Sequence, residues 1–165
     1  MQRDESLSVE PPFDIRSFFD EPLRPAQLAA VSPTGMPLLG SMWFLYDRGR
    51  FWFSSRLETP IPRAATNGSD VAVIVDDFSP PDKIRQVRVR GPGHIEPHDP
   101  EQVKRIYRRY LGPDLDLWPD FFRLRVDDSH FALWTVAPMS GLAVAFPNFD
   151  VNEARWNTPK NSPLP

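Results

Sequence analysis

Gln27–Asp77 reads QLAAVSPTGMPLLGSMWFLYDRGRFWFSSRLETPIPRAATNGSDVAVIVDD. Apolar runs alternate there with turn signals, namely Ser32-Pro33-Thr34-Gly35, Asp47-Arg48-Gly49 and Asn67-Gly68-Ser69-Asp70. Proline and glycine at such positions supply the backbone angles that β-turns need. The stretch therefore predicts a strand over Gln27–Ser32, a turn, a long strand over Met36–Tyr46, a hairpin turn and a return strand over Arg50–Ser54. A short polar linker follows. Val71–Asp76 is then a β-branched run of the kind that forms strands buried on both faces. Gly40 lies inside the long strand, which suggests a bulge or the close approach of another group.

Working outward, Asp14-Ile-Arg-Ser-Phe-Phe-Asp-Glu predicts a short helix, with Asp14 as N-cap and Ile15, Phe18 and Phe19 on one face. Downstream, Ile84–Ile95 alternates, with Val87 and Val89 pointing one way and Gln86, Arg88 and Arg90 the other. Gly91-Pro92-Gly93 bends it. Asp99–Pro113 predicts the longest helix. Asp99 caps it, Pro100 fits the first turn, and Val103, Ile106, Tyr107, Tyr110 and Leu111 form its apolar stripe. Leu115–Pro119 reads as a loop carrying Trp118. Phe121–Val126 alternates in the manner of a strand, His130–Val136 reads as the final strand, and the chain after Pro138 reads as irregular. The expected division is a flexible segment over 1–12, a barrel domain over 13–150 and a tail over 151–165.

The chain has 165 residues, 41% hydrophobic and 12% aromatic, enough for one domain with a core. Its net charge of −3 argues against general nucleic-acid binding. There is no cysteine, so thiolate and disulfide chemistry are excluded. The N-terminus MQRDESLSVEPP carries no apolar run of a signal peptide, and no stretch is apolar enough to span a bilayer as a helix. A cytoplasmic protein with no membrane partner is expected. Twenty prolines argue against a helical bundle and for loops and strand edges.

The strand order, with Ser41-Met42-Trp43-Phe44 in the second strand and Phe53-Ser54-Ser55 ending the third, resembles the flavin-binding split β-barrel family. That family is related to pyridoxamine 5′-phosphate oxidase and includes F420-dependent oxidoreductases. The resemblance implies a mainly β, α+β fold: a six-stranded antiparallel split barrel with two to three peripheral helices. It also implies a homodimer holding FMN, or alternatively the deazaflavin F420, between subunits. The cofactor-binding residues it implies are Gly40, Ser41, Met42, Trp43, Phe53, Ser54, Ser55, Arg56, Thr59, Arg63 and Trp134. Trp118 is carried beside Trp134 as a residue reaching the partner's pocket. Family members carry a Lys-x-Arg-Asn-like pattern in the linker. Here the Lys position falls on Ile61, the Arg position on Arg63 and the Asn position on Ala64, with Pro60 and Pro62 on either side of Ile61. One phosphate-binding cation of two is absent, and Arg56 is the nearest substitute.

Each candidate has an ordinary structural counterpart. Trp43 and Phe53 are also good core residues, and Arg63 a good solvated helix residue. Lys83, Arg85, Arg88 and Arg90 suit an anion, yet more often such a face is solvated or paired across the sheet. His94, Glu96 and His98 lack the spacing of a zinc site, and no metal is expected. No nucleophile motif accompanies His130, so no catalytic side chain is assigned. The expected activity is a flavin- or deazaflavin-dependent oxidoreductase acting on a small organic substrate. The alternative is a cofactor-less barrel that binds a small ligand without redox chemistry.

Overall fold

The computed structural model describes residues 9–21, 23–146 and 150–165; most of the expected N-terminal segment, residues 1–8, lies outside them. Four α-helices and nine strands are described, three strands more than expected. The strands are β1 (Ala26–Val31), β2 (Pro37–Met42), β3 (Leu45–Asp47), β4 (Arg50–Arg56), β5 (Asp70–Ser79), β6 (Lys83–Glu96), β7 (Phe131–Val136), β8 (Ser140–Ala145) and β9 (Asn152–Trp156). The helices are α1 (Ile15–Asp20), α2 (Pro60–Thr66), α3 (Pro100–Leu111) and α4 (Asp120–Arg123). The sheet is antiparallel, in the order β2-β1-β5-β6-β7-β4-β3, with β8 pairing the middle of β6 and β9 pairing β8.

Four expectations are corrected. Phe121–Val126 is not a strand: Asp120–Arg123 is helical and Val126 closes the turn that follows. Its alternation arises because Phe122 and Val126 pack toward α3 while Leu124 stays exposed. The chain after Pro138 is not irregular, since Ser140–Ala145 pairs β6 over Arg85–Arg90. The expected tail supplies β9, which pairs β8 and buries Trp156. The predicted long strand Met36–Tyr46 is broken at Trp43–Phe44, between β2 and β3.

The sheet curls around a core of Phe18, Phe19, Phe44, Phe51, Phe53 and Trp134, with the valines of β5 and β6. A second cluster lies between the other face of β4 and β7 and the apolar stripe of α3, and includes Trp52, Tyr107, Trp118 and Leu133. β5 alternates rather than being buried twice: Val71, Val73 and Val75 are buried, while Ala72 is exposed and Ile74 half-buried. One face of a β-branched run is thus left open. Arg85 also departs from the expected basic face. It turns to the Val87 side and pairs with Asp77 (2.7 Å) and Glu21 (3.1 Å).

Asp47 ties the β3–β4 hairpin to α3. Its carboxylate accepts from Arg105 Nη1 at 2.7 Å and Gln102 Nε2 at 3.4 Å. The Arg105 hydrogen bond is the main reason its pKa falls from 3.8 to about 2. The folded value lies below the unfolded one, so this stabilisation is present above pH 4 or so and is lost as pH falls toward about 2. Asp47→Asn is therefore expected to flatten that acid limb of the melting-temperature profile. A limb that is as steep in the variant assigns the acid sensitivity to other carboxylates.

Candidate functional site

The fold leaves two strand edges unpaired where β2 and β3 diverge. β3 pairs β4 only as far as Leu45↔Trp52. β4 continues to Arg56 with β7 on its other side. β2 pairs only β1. Beyond Trp52, one edge of β4 therefore has no strand partner among the described residues. This is the split of the barrel, and its free N–H and C=O groups can hold a ligand's polar edge.

The candidate residues sort by face. Gly40 and Met42 face the interior. A Cβ built on Gly40 would sit 2.9 Å from Ile61 Cδ1, which is the close approach its sequence position suggested. Met42 packs on the core. Ser41 lies on the opposite, exposed face, where its Oγ accepts from Gln27 Nε2 at 3.3 Å. Trp43 is stacked with Tyr110 (4.6 Å, 5°) and with Phe122 (4.8 Å, 15°). Its ring is thereby engaged in holding α3 and α4 to the β2–β3 break.

On β4, Phe53 and Ser55 face the core and Ser54 and Arg56 face α3 and α4. Phe53 stacks on the fully buried Trp134 at 4.6 Å, and Trp134 Nε1 donates to Ser55 Oγ at 3.0 Å. Ser54 Oγ lies 3.4 Å from the Tyr107 hydroxyl. Trp118 is buried, and its Nε1 donates to the Gly112 carbonyl. Thr59 caps α2 without a side-chain bond to it, because its hydroxyl donates to the Arg56 carbonyl at 2.6 Å. Arg63 is exposed and lines a hollow of about 370 Å³ with Ser32, Thr34, Leu38, Glu58 and Pro60.

The structure thus brings together Trp43, Ser54 and Arg56 along the α3 side of the split. It sets Gly40, Met42, Phe53, Ser55 and Trp134 toward the interior, Ser41 on the open sheet face and Arg63 outside α2. Ile61 is 5% exposed and belongs to the core. α2 also has few N–H groups to offer an anion: Pro60 and Pro62 have none, and Arg63 N donates to Thr59 O.

Sequence reading missed Tyr107, Tyr110 and Arg125. The two tyrosines were counted only as apolar stripe, yet their hydroxyls do specific work. Tyr110 Oη accepts from Phe44 N (3.0 Å) and donates to Arg24 O (2.8 Å), fastening α3 to both chain segments. Burial raises the pKa of Tyr107 and of Tyr110, so both are neutral hydrogen-bonding groups at ordinary pH. Their position at the core-facing end of an amphipathic stripe, beside Trp43, was the available signal. Arg125 was hidden by the mistaken strand.

Around the corner from the split, the open face of β1, β2, β5 and β6 presents Ala29, Leu39, Ala72 and Ile74 around a hollow of about 200 Å³. A larger hollow of about 470 Å³ adjoins it, lined by Arg88, Arg90, Leu142, Arg155 and Trp156. His94 and His98 are exposed. Among the described residues no three His, Asp or Glu side chains are placed to hold a metal, and no helix is long and apolar enough to cross a membrane.

A curled antiparallel sheet with diverging edges and covering helices defines a split-barrel protein. The pyridoxamine 5′-phosphate oxidase profile matches residues 14–140, well over half of the chain, and the protein belongs to that family. No curated protein matches it. Among solved structures it is similar to the conserved hypothetical protein Rv2991 from Mycobacterium tuberculosis. The TM-score is 0.63 and the identity 20%, covering 97% of this chain and 92% of that one. It is similar to an F420 reductase at TM-score 0.57 and 26% identity, covering 79% and 97%. HutZ, a haem storage protein from Vibrio cholerae, shares the fold at TM-score 0.63 and 17% identity, covering 81% and 94%.

Proposed function

We propose that the protein is a homodimeric flavin- or deazaflavin-dependent oxidoreductase acting on a small organic substrate. FMN is the first choice of cofactor and F420 the second. Family membership supports the class, and the likeness to an F420 reductase supports keeping the deazaflavin. The single observation that carries the reading is the split itself: two unpaired strand edges with Trp43, Ser54 and Arg56 beside them.

The residues present suit such a group. Arg56 and the Ser54 hydroxyl offer donors for a phosphate, and the free edge of β4 offers backbone donors and acceptors for the polar rim of the ring system. A bound flavin or deazaflavin supplies hydride transfer. The protein's own part is to orient and shield it, and among the described groups of the split no side chain is poised to exchange a proton near neutrality. Dimerisation is supported by the open face of β5, where Ala72 and Ile74 lie on an otherwise buried β-branched run. Ser41 lies on that same face, so a second subunit seated there would close over the rim of the split.

Titration of the purified protein with FMN and with F420, followed by cofactor fluorescence, tests the reading, with light scattering for the dimer. One of the two is expected to bind at micromolar concentration to a dimer. A colourless protein that binds neither at high micromolar concentration sinks it, and leaves the small-ligand barrel.

A further inference from the structure

Arg56 ends β4 and Arg125 lies in the turn after α4, and the two meet on one ring. Their guanidinium carbons lie 5.4 Å and 4.1 Å from the centroid of Phe131, and Arg125 also covers Phe121 at 3.0 Å. Among the described residues neither guanidinium has an ion-pair partner. Asp128, the acid whose charge reaches both guanidiniums, is held by His130, which approaches it at 2.9 Å through both its backbone N–H and Nδ1. Loss of solvent is the main cause that lowers the pKa of Arg125; the charge of Arg56 lowers it further, against opposing contributions from Tyr107 and Asp128.

Two like charges balanced only by one carboxylate, which neither touches and which His130 already engages, leave a place for a further anion. Both guanidiniums lie against ring faces, and among the described residues neither makes a side-chain hydrogen bond, so their N–H donors are free to match an oxyanion. The neighbourhood is also right. Backbone alternation places Ser54 on the same face of β4 as Arg56, and the Ser54–Tyr107 hydroxyl pair adds a neutral donor. Tyr107 itself feels the charge of Arg125.

We propose that Arg56 and Arg125 form an oxyanion site at the α3 side of the split, taking a phosphate monoester or a carboxylate. Arg125 supplies the second cation that Ile61 cannot. Which ligand carries the anion rests on the cofactor reading above, whereas the site itself does not.

The test uses the full-length protein and inorganic pyrophosphate, with glutarate in parallel to separate phosphate from carboxylate. Binding is followed through the Nε–Hε signals of the arginines in nitrogen-15 spectra. One of the two anions is expected to move two of these signals, identified by their loss in Arg56→Gln and Arg125→Gln. Each of these variants is expected to weaken binding roughly tenfold or more. Arg125→Lys keeps the charge without the planar fork and should fall between, and it serves if the glutamine variant does not fold. Unchanged affinity in a folded Arg125 variant, or no response to either anion at millimolar concentration, overturns the site. FMN and riboflavin separate the two readings. Anion binding without FMN or F420 binding leaves the site standing and the cofactor reading fallen. FMN binding whose preference over riboflavin survives Arg125→Gln does the reverse.

Discussion

Ile61→Lys is expected to destabilise the protein by about 3 kcal/mol or more, and not to improve the binding of any anion. Family pattern alone makes the opposite attractive, because Ile61 stands where relatives place a phosphate-binding lysine. The geometry removes that option. Ile61 is 5% exposed, and its Cδ1 occupies the space that a side chain on Gly40 would need. An ammonium group there would lose its water and find no carboxylate, so its pKa would drop below that of the unfolded chain. The folded state would then bind fewer protons, and stability would rise with pH. The deficit should therefore shrink as pH climbs toward about 10, where the unfolded lysine also loses its proton. Urea unfolding at neutral and alkaline pH measures this. A variant within about 1 kcal/mol of the parent at neutral pH would mean that the side chain escapes to solvent at the start of α2.

That one position shows where sequence reading succeeds and where it stops. Turn chemistry at Ser32–Gly35 and Asp47–Gly49 set the hairpins, and alternation in Ile84–Ile95 set the inward valines; both are local properties and both hold. The capped helix at Asp99 holds for the same reason, with Asp99 accepting from Glu101 N and Gln102 N. What failed depended on distant partners. Alternation over Phe121–Val126 looked like a strand because a short helix followed by a turn also returns apolar residues at uneven steps. β8 and β9 are hard to read because Gly141 and two alanines of β8 carry little hydrophobic signal; β8 becomes a strand by pairing with β6, and β9 by pairing with β8. At the site, Ser54 and Arg56 were legible as strand-end polar residues. Arg125 was not, since what makes it notable is its meeting with Arg56 across Phe131, nearly seventy positions away in the chain.

Gly91→Ala is expected to be the other severe substitution, costing about 3 kcal/mol or more, and the reason lies in how β6 is shared. Over Arg85–Arg90 the second edge of β6 pairs β8, and over Gly93–Glu96 it pairs β7. At the change of partner, the chain from β7 to β8 crosses directly over Gly91, fastened by Met139 N to Arg90 O (2.9 Å) and Ala137 N to Pro92 O (3.2 Å). A Cβ on Gly91 would fall 1.8 Å from the Ala137 carbonyl oxygen and 2.8 Å from its carbon. No rotamer change relieves a clash with backbone, so the crossover must lift and at least one of these hydrogen bonds must go. Gly68→Ala is the control. Its φ of +91° strains an alanine, but nothing lies within 4 Å of the new Cβ, so about 1–2 kcal/mol is expected. Urea unfolding of both variants compares them, and a Gly91 variant no worse than the Gly68 variant refutes the crossover argument. The functional consequence follows from the same corner. Gly91–Gly93 sets the angle between the half of the sheet carrying β1 and β2 and the half carrying β7 and β4, and hence the width of the split between the β2 and β4 edges. Ligand affinity per folded molecule should therefore fall in Gly91→Ala and stay unchanged in Gly68→Ala.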